Sequence, residues 1–402
     1  MDLRTLLASL PPNPRVVVGG NHALAKHALS LVDSALDSYR LWMLNAQKGI
    51  PDRDGVCYET PFVGPGMRHH PDLCYVPCRL SMVPHLFTTT MPPDLVVLNT
   101  TPPENGKVSL GIEVNVLPAA IEAARARGGK VIAQANASLP HTLGDSEIDV
   151  DLIDLFIEAD EPLPGAPTGA LDELSLAIGE LVAQRVGDGS TLQAGIGAIP
   201  DAAMRGLTRR RHLKVWTEMF SDSVLALEKA GALDTDTPIH ASFLFGSEEL
   251  NAWVDRNERV RMLRTEISND PAVIARRPQM ISINSALQVD LFGQANASRV
   301  HNRIHSGFGG QNDFMVGALH SDGGQAMIAL RSWHPKADVS TVVPMIEDPV
   351  TSFQMSAIIT EQGAAEVLGR EQREQARNII EQAAHPQVRE ELWEEAVELG
   401  LA

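Results

Sequence analysis

One carboxylate, Glu218, lies within the mostly apolar run 213–220. Burying a charged group costs several kcal/mol unless a partner compensates for the lost hydration. A structural explanation is that Glu218 faces solvent or pairs with an arginine such as Arg209. The chemical explanation is covalent catalysis, because a desolvated carboxylate is a stronger nucleophile toward a reactive carbonyl held beside it.

Two glycine-rich segments supply the partner that such chemistry needs. The segment 195–197 precedes Glu218, and the segment 307–314 leads into a helical pattern. Glycine lets backbone amides approach a ligand closely, and a helix N-terminus adds positive potential where an oxyanion develops. An isolated Gly-x-Gly is more often an ordinary tight turn, so the two segments together with Glu218 carry the hypothesis.

The elements around Glu218 predict where these groups meet. Residues 191–194 are typical of a buried strand, 200–209 of a helix, and 213–220 of a second strand. If the strands are parallel, the crossover rule makes them neighbours or near-neighbours, with their carboxyl ends at one edge of the sheet. Open α/β sheets bind ligands at that edge.

Strand-like and helical runs alternate along the whole chain, which indicates an α/β fold. The segment 16–21 is echoed by 192–197, and 95–111 is echoed by 280–293, which predicts two related open-sheet lobes with the site between them. The Pro- and Gly-rich stretch 161–169 is the best boundary. We therefore expect an N-terminal α/β domain over 1–165 and a C-terminal one over 166–402 that carries Glu218 and the glycine loops.

Bulk properties limit the possible partners. The 402 residues are 44% hydrophobic and carry a formal net charge of -18, with a pI near 5.1. This charge argues against nucleic acid and against an anionic membrane surface, because both would repel most of the protein. The sequence shows neither a signal peptide nor a membrane-spanning run, so we expect a soluble cytoplasmic protein that acts on small molecules.

Cysteine and basic residues provide weaker signals. The three cysteines Cys57, Cys74 and Cys78 form no even disulfide framework, and we expect thiols in the core in a reducing compartment. The pair His69-His70 and the two later cysteines lack a usual zinc-site layout, so no metal is expected. The run 208–212 could meet a phosphate, although cations at the end of a helix are explained by its dipole.

The ordered motifs of the chain closely resemble the acetyl-CoA hydrolase/transferase family, whose members are class I CoA-transferases. The resemblance extends over nearly the whole chain. Its segments are 102–111, 139–146, 188–202, 217–222, 267–271, 281–286, 289–294 and 306–314.

The resemblance implies a class I CoA-transferase fold and a ping-pong reaction in which Glu218 is the nucleophile. It assigns the amide of Ile196 to an external oxyanion hole and that of Gly310 to an internal one, with Asn269 near the acyl carbonyl. The expected substrates are an acyl-CoA and a small carboxylic acid, with no permanently bound cofactor, and the expected assembly is a homodimer. The residues implied in CoA binding are Gly195, Ile196, Gly197, Ala198, Ile199, Gly307, Gly309 and Gly310.

Several alternatives stay open at this level. Glu266 and Glu361 also stand in polar motifs, although Glu218 alone follows the first glycine loop by one helix and one strand. The same scaffold could hydrolyse acyl-CoA, or it could bind acyl-CoA without catalysis as a sensor. Gln354 and Gln362 replace an arginine and a tyrosine that the family usually shows, which affects the expected acyl or CoA specificity.

Overall fold

The computed structural model describes residues 2–165, 171–193, 195 and 197–402, which form two compact units. The first unit comprises Met1–Pro167 and Pro238–Ser268, and the second comprises Thr168–Thr237 and Asn269–Ala402. The sequence division at residue 165/166 lies close to the first boundary. It differs from the structure over Pro238–Ser268, which packs with the first unit.

The first unit contains a parallel sheet whose inner strands are mostly buried. Its strands are β1 (Arg15–Val18), β2 (Tyr39–Met43), β3 (Val56–Thr60), β4 (Leu73–Tyr75), β5 (Leu95–Thr100), β6 (Lys130–Ala135) and β7 (Leu155–Glu158). They lie in the order β4-β3-β2-β1-β5-β6-β7. The strand order reverses direction between β1 and β5, which is where such sheets place ligands.

The second unit repeats this arrangement. Its sheet has the order β9-β8-β10-β11-β12-β13, and only the last pair is antiparallel. The strands are β8 (Thr191–Gln193), β9 (Lys214–Val215), β10 (Met280–Asn284), β11 (Gln325–Ala329), β12 (Ala357–Thr360) and β13 (Gly363–Glu366). Here the order reverses between β8 and β10, at the edge of the sheet where Gly195 lies.

Helices cover the sheets and bury apolar residues against them, as Ala28, Leu29 and Val32 do in the second helix. In chain order they are α1 (Leu3–Ala8), α2 (Lys26–Ala35), α3 (Val83–Thr88), α4 (Leu117–Ala126), α5 (Glu173–Gln184), α6 (Ala198–Gly206), α7 (Asp222–Lys229), α8 (Glu248–Val254), α9 (Thr265–Ser268), α10 (Pro271–Ile274), α11 (Gln311–His320), α12 (Gln372–Asn378) and α13 (Arg389–Glu398). In the part of the chain described, no helix is both long and apolar enough to span a bilayer.

Short elements connect these layers. The short strands are Lys107–Ser109, Glu147–Asp149, Met219–Phe220, Ile239–Ala241, Phe243–Leu244, Val260–Met262, Gln288–Asp290, Ala295–Asn296, Arg299–Val300, Arg303–Ile304, Trp333–His334, Val339–Ser340 and Val342–Val343, and the single-turn helices are Leu80–Met82, Val150–Leu152, Leu207–Arg209, Ile379–Ala383 and Pro386–Val388.

The structure confirms the α/β class with open parallel sheets and corrects two local expectations. The predicted strand 213–220 is interrupted, because β9 ends at Val215 and the chain bends at Glu218 before Met219. The cysteines are not core residues: Cys74 is exposed, and Cys57 and Cys78 are partly exposed. The exposure of Cys74 follows from its place on β4, the outermost strand of the first sheet.

Candidate active site at Glu218

Glu218 lies in the second unit, in the bend just beyond the carboxyl end of β9. The Thr217 hydroxyl donates to the Met219 carbonyl at 2.8 Å, which satisfies a backbone acceptor within the bend. Because β9 pairs in parallel with β8, the bend lies at the same sheet edge as the loop that follows β8. This confirms the predicted placement of Glu218 at the carboxyl edge.

Asn269 contacts the Glu218 carboxylate directly. Its Nδ2 donates to Glu218 Oε2 at 2.8 Å, and the asparagine is fully buried. It lies between α9 and α10, where the Asp270 side chain caps α10 by accepting from the Ala272 amide. A buried donor fixes one oxygen of the carboxylate and leaves the other oxygen for further contacts.

Gly310 is the third member of this cluster and the N-cap residue of α11. A Cβ atom at this position would lie 1.7 Å from Glu218 Oε2 and 2.3 Å from Asn269 Nδ2. The backbone of the second glycine loop therefore lies against the carboxylate, which only glycine permits. The helix N-terminus also brings positive potential to the Glu218 carboxylate.

Close packing of α10 against α11 holds Asn269 and Gly310 near Glu218. A Cβ atom on Gly317 of α11 would lie 2.5 Å from Ile274 Cβ, so α10 packs tightly against α11 at this glycine. Asn269 lies two residues before the start of α10, and Gly310 immediately precedes α11. The contact between the two helices thus positions both residues around Glu218.

The surroundings raise the pKa of Glu218 from its ordinary value of 4.5 to about 7. Burial is the largest cause, since protein atoms surround most of the carboxyl although part of its surface stays open. The Asn269 hydrogen bond opposes this shift, and the negative charge of Asp313 adds to it. A carboxyl group with a pKa near neutrality is typical of catalytic acids, bases and nucleophiles.

The first glycine loop follows β8 at the point where the strand order reverses. Gln193 Oε1, at the end of β8, accepts from Ser282 Oγ at 2.9 Å, from the Ile283 amide at 3.1 Å and from Asn284 Nδ2 at 3.2 Å. These contacts tie the start of the loop to β10. Gly195 and Gly197 lie at the expected edge, Ala198 and Ile199 form the first turn of α6, and Ile196 lies outside the described residues.

Three other residues that the sequence singles out, Gly307, Gly309 and Gln354, make none of the described contacts with Glu218. Gly307 and Gly309 belong to the loop that leads to Gly310 and α11, but the contacts around Glu218 involve Gly310. Gln354 lines a small cavity of about 170 Å³ beside Phe292 and Gln375.

The two alternative carboxylates have structural partners. Glu266, in the first unit, pairs with Arg264 at 2.7 Å. Glu361 accepts from the Ser332 amide at 3.0 Å and from Gln362 Nε2 at 3.1 Å. Burial alone would raise the pKa of Glu361, but hydrogen bonds led by the one from the Ser332 hydroxyl lower it. The neighbours of Glu361 thus favour its charged form, unlike those of Glu218.

The first unit has a cavity of its own, of about 430 Å³, at the carboxyl edge of its sheet. Asn21, Lys26, Lys48 and Asn99 contribute to its lining. Glu113 is buried and accepts from the Gly20 amide at 3.1 Å and from Asn21 Nδ2 at 3.0 Å, so it fixes the loop after β1. Burial, the largest cause, raises the pKa of Glu113. This cavity lies where open α/β sheets bind ligands.

The sequence did not identify Asp313 or Gln193 as site residues. Asp313 is fully buried in the first turn of α11, three residues after Gly310, and Gln193 anchors the first loop. A polar residue at the end of an apolar strand, or directly after a glycine loop, is the signal that would have identified them. In the described residues, no group of three or more His, Cys, Asp or Glu side chains is arranged to hold a metal ion.

Family models match both parts of the chain. Residues 66–166 match the acetyl-CoA hydrolase/transferase N-terminal domain, and residues 246–396 match the acetyl-CoA hydrolase/transferase C-terminal domain. The second match includes Asn269 and Gly310.

Individual relatives agree with these matches. The chain is 38% identical over 333 residues to 4-hydroxybutyrate coenzyme A transferase of Clostridium kluyveri, covering 80% of this chain and 76% of the relative. Acetyl-CoA hydrolase of Kluyveromyces lactis is 36% identical over 204 residues, which cover 48% of this chain and 38% of the hydrolase. The crystal structure of RipA from Yersinia pestis has a TM-score of 0.90 and 25% identity, covering 99% of this chain and 97% of that chain.

Proposed function

Because the chain belongs to the acetyl-CoA hydrolase/transferase family, whose members are enzymes, we propose that it transfers CoA from an acyl-CoA to a small carboxylic acid. The reaction would proceed through covalent intermediates on Glu218. The contact of this carboxylate with Asn269 and the Gly310 backbone is the observation that carries the proposal.

In the first half-reaction, the ionised Glu218 attacks the thioester carbonyl of an acyl-CoA. The C–S bond breaks, and CoA leaves as a thiolate while an acyl-glutamyl anhydride forms. The thiolate then attacks the glutamyl carbonyl of the anhydride and releases the free carboxylate. The product is a glutamyl-CoA thioester, so the energy of the original thioester is kept without ATP.

The second half-reaction runs these steps in reverse with an incoming carboxylate. Each step passes through a tetrahedral oxyanion, which backbone amides stabilise in a site that excludes water. We assign this task to the Gly310 amide for attack on the glutamyl carbonyl and to the Ile196 amide for attack on the acyl carbonyl. CoA is a substrate in this scheme, and the protein needs no permanent cofactor.

The raised pKa of Glu218 fits a nucleophile. A carboxylate with a pKa near 7 is more basic than an ordinary one, which favours attack. Asn269 holds one carboxylate oxygen by its hydrogen bond and leaves the other available for attack on the carbonyl carbon.

Trapping of the thioester tests the proposal. The protein is incubated with acetyl-, propionyl- or succinyl-CoA and then reduced with borohydride, and its intact mass and peptide map are measured. We expect a reduced residue at Glu218 together with loss of activity, and no modification in Glu218→Gln. Glu361→Gln is the matched control and should react like the unsubstituted protein.

Two outcomes would overturn the assignment. Modification at Glu361 or Glu266 would move the nucleophile away from Glu218. An unmodified Glu218 with every donor, in protein that binds CoA, would replace catalysis with binding alone.

Hydrolysis is the second candidate function, and the resemblance to an acetyl-CoA hydrolase favours it. In that reaction water, rather than a second acid, would resolve the glutamyl adduct. CoA release that does not depend on added carboxylate would identify a hydrolase. Formation of a new acyl-CoA in proportion to the added acid would identify a transferase.

A further inference from the structure

Three arginines, Arg205, Arg209 and Arg210, line a groove between α5 and α6 of the second unit. The groove has a volume of about 460 Å³, and none of its lining residues belongs to the Glu218 cluster. We refer to it as the arginine groove. Cavities of this volume commonly hold small molecules.

The arginine groove lies at the opposite edge of the sheet from Glu218. Helix α6 begins after the 195–197 loop at the carboxyl edge and leads, through Leu207–Arg209, to the start of β9 at the amino edge. A helix of this length rises about 13 Å. The arginine groove is therefore a separate place within the same unit.

Its charge is unusual for this protein. The chain carries a net charge of -18, yet Arg205 and Arg209 stand four residues apart and are both exposed. Like charges at this spacing repel each other, and the helix C-termini at which both arginines lie offset part of this repulsion. No ion pair of the described residues includes either arginine. The arrangement is one that a bound anion would stabilise.

The walls of the arginine groove indicate the kind of anion. Arg210 Nη2 donates to the Ala183 carbonyl at 3.0 Å, which fixes one guanidinium against the wall. Guanidinium groups match phosphate oxygens with pairs of parallel hydrogen bonds. Leu176 and Ala202 add apolar surface beside the charges, and Glu180 is the one carboxylate among the lining residues.

We propose that the arginine groove binds an organic polyphosphate, specifically a nucleoside triphosphate, at a site distinct from the catalytic one. The phosphates would contact Arg205 and Arg209, and the nucleoside would lie against the apolar wall. The phosphate-bearing end of CoA offers the same chemistry. The position of the arginine groove at the far edge of the sheet favours the free nucleotide.

Titration calorimetry of the full chain with ATP tests this proposal. We expect saturable one-to-one binding that weakens at least about tenfold in Arg205→Gln/Arg209→Gln, because both phosphate-binding forks are lost. The matched control is Arg373→Gln/Arg377→Gln on α12, which removes the same charge at the same spacing from exposed positions outside the groove. This control should bind ATP like the unsubstituted protein.

Further ligands separate the possible sources of binding. Pyrophosphate should compete with ATP, whereas adenosine, which lacks phosphate, should not. Excess CoA should leave ATP bound, since it would occupy the other edge of the sheet.

The proposal is overturned if ATP shows no saturable binding at millimolar concentration, or if the α12 control weakens binding equally. It is also overturned if CoA displaces ATP competitively, which would make the groove part of the substrate site. Equal melting temperatures of the two double variants establish that their folds are comparable.

Discussion

Replacing Glu218 by glutamine should make the protein more stable at neutral and higher pH while abolishing activity. The substitution keeps the shape of the side chain, and its amide oxygen can still accept the hydrogen bond from Asn269. It removes a carboxyl group whose surroundings disfavour the charged form. The proposed nucleophile is therefore expected to reduce the stability of the fold that carries it.

The magnitude follows from the shift of the pKa from 4.5 to about 7. The folded state binds the proton more tightly than the unfolded chain, so the stabilising effect of the protonated group is complete below pH 4.5 and is lost as the pH rises through 7. Above this range the loss amounts to about 3 kcal/mol of unfolding free energy. The side chain in Glu218→Gln does not titrate, so the variant does not undergo this loss of unfolding free energy.

Urea unfolding midpoints of both proteins, measured between pH 5 and pH 8, check this reasoning. The gap in stability should widen with pH and then level off above pH 7. Glu381→Gln, which removes an exposed carboxylate from the same unit, controls for net charge. A gap that is constant across the series, or a variant that is less stable at pH 8, would refute the argument.

Three further results are expected around the same carboxylate. The rate kcat/KM should rise with pH through about 7, because only ionised Glu218 attacks, and a flat profile from pH 6 to pH 8 would contradict this. Gly310→Ala should lower kcat about a hundredfold, because the added Cβ would overlap Glu218 Oε2. The control Gly187→Ala, whose Cβ would have Ser190 Oγ as its nearest neighbour at 4.0 Å, should retain activity. Equal losses of activity in initial-rate assays of the two variants would disprove the steric argument. Asn269→Ala should move the midpoint of the pH profile above 7, because the hydrogen bond that lowers the pKa is lost, and an unchanged midpoint would count against this role.

The sequence was sufficient to predict the α/β class and the sheet edge at which Glu218 lies. The runs Leu95–Thr100 and Lys130–Ala135 are recognisable as buried strands from their apolar residues. Their parallel pairing follows from the helix α4 that connects them. The helix 200–209 also corresponds to α6 and the turn that follows it.

The interruption at Glu218 was not predictable from the apolar pattern. Hydrophobic periodicity describes burial, and the residues on both sides of the bend are buried whether or not they pair in a sheet. The hydrogen bond from the Thr217 hydroxyl within the bend has no recognisable sequence pattern. Short strands of two residues, such as Lys214–Val215, fall below the length at which alternation is readable.

The cluster itself depends on contacts between residues far apart in the chain. Asn269 follows Glu218 by 51 positions, and its role rests on the packing of α10 against Gly317. Family resemblance assigned Asn269 and Gly310, whereas the charge of Asp313 beside Glu218 required coordinates. Exposure of Cys74 likewise depends on strand order, which a single sequence does not contain.

The order in which the chain builds its two units bears on synthesis at the ribosome. The segment Pro238–Ser268 packs into the first unit. One of the contacts that hold it there is the hydrogen bond from the Val114 amide to the Ser242 carbonyl, at 3.0 Å. The nascent chain must therefore hold an incomplete first unit while the segment Thr168–Thr237 emerges. A chain that ended after Pro167 would lack the segment Pro238–Ser268, so its first unit would remain incomplete.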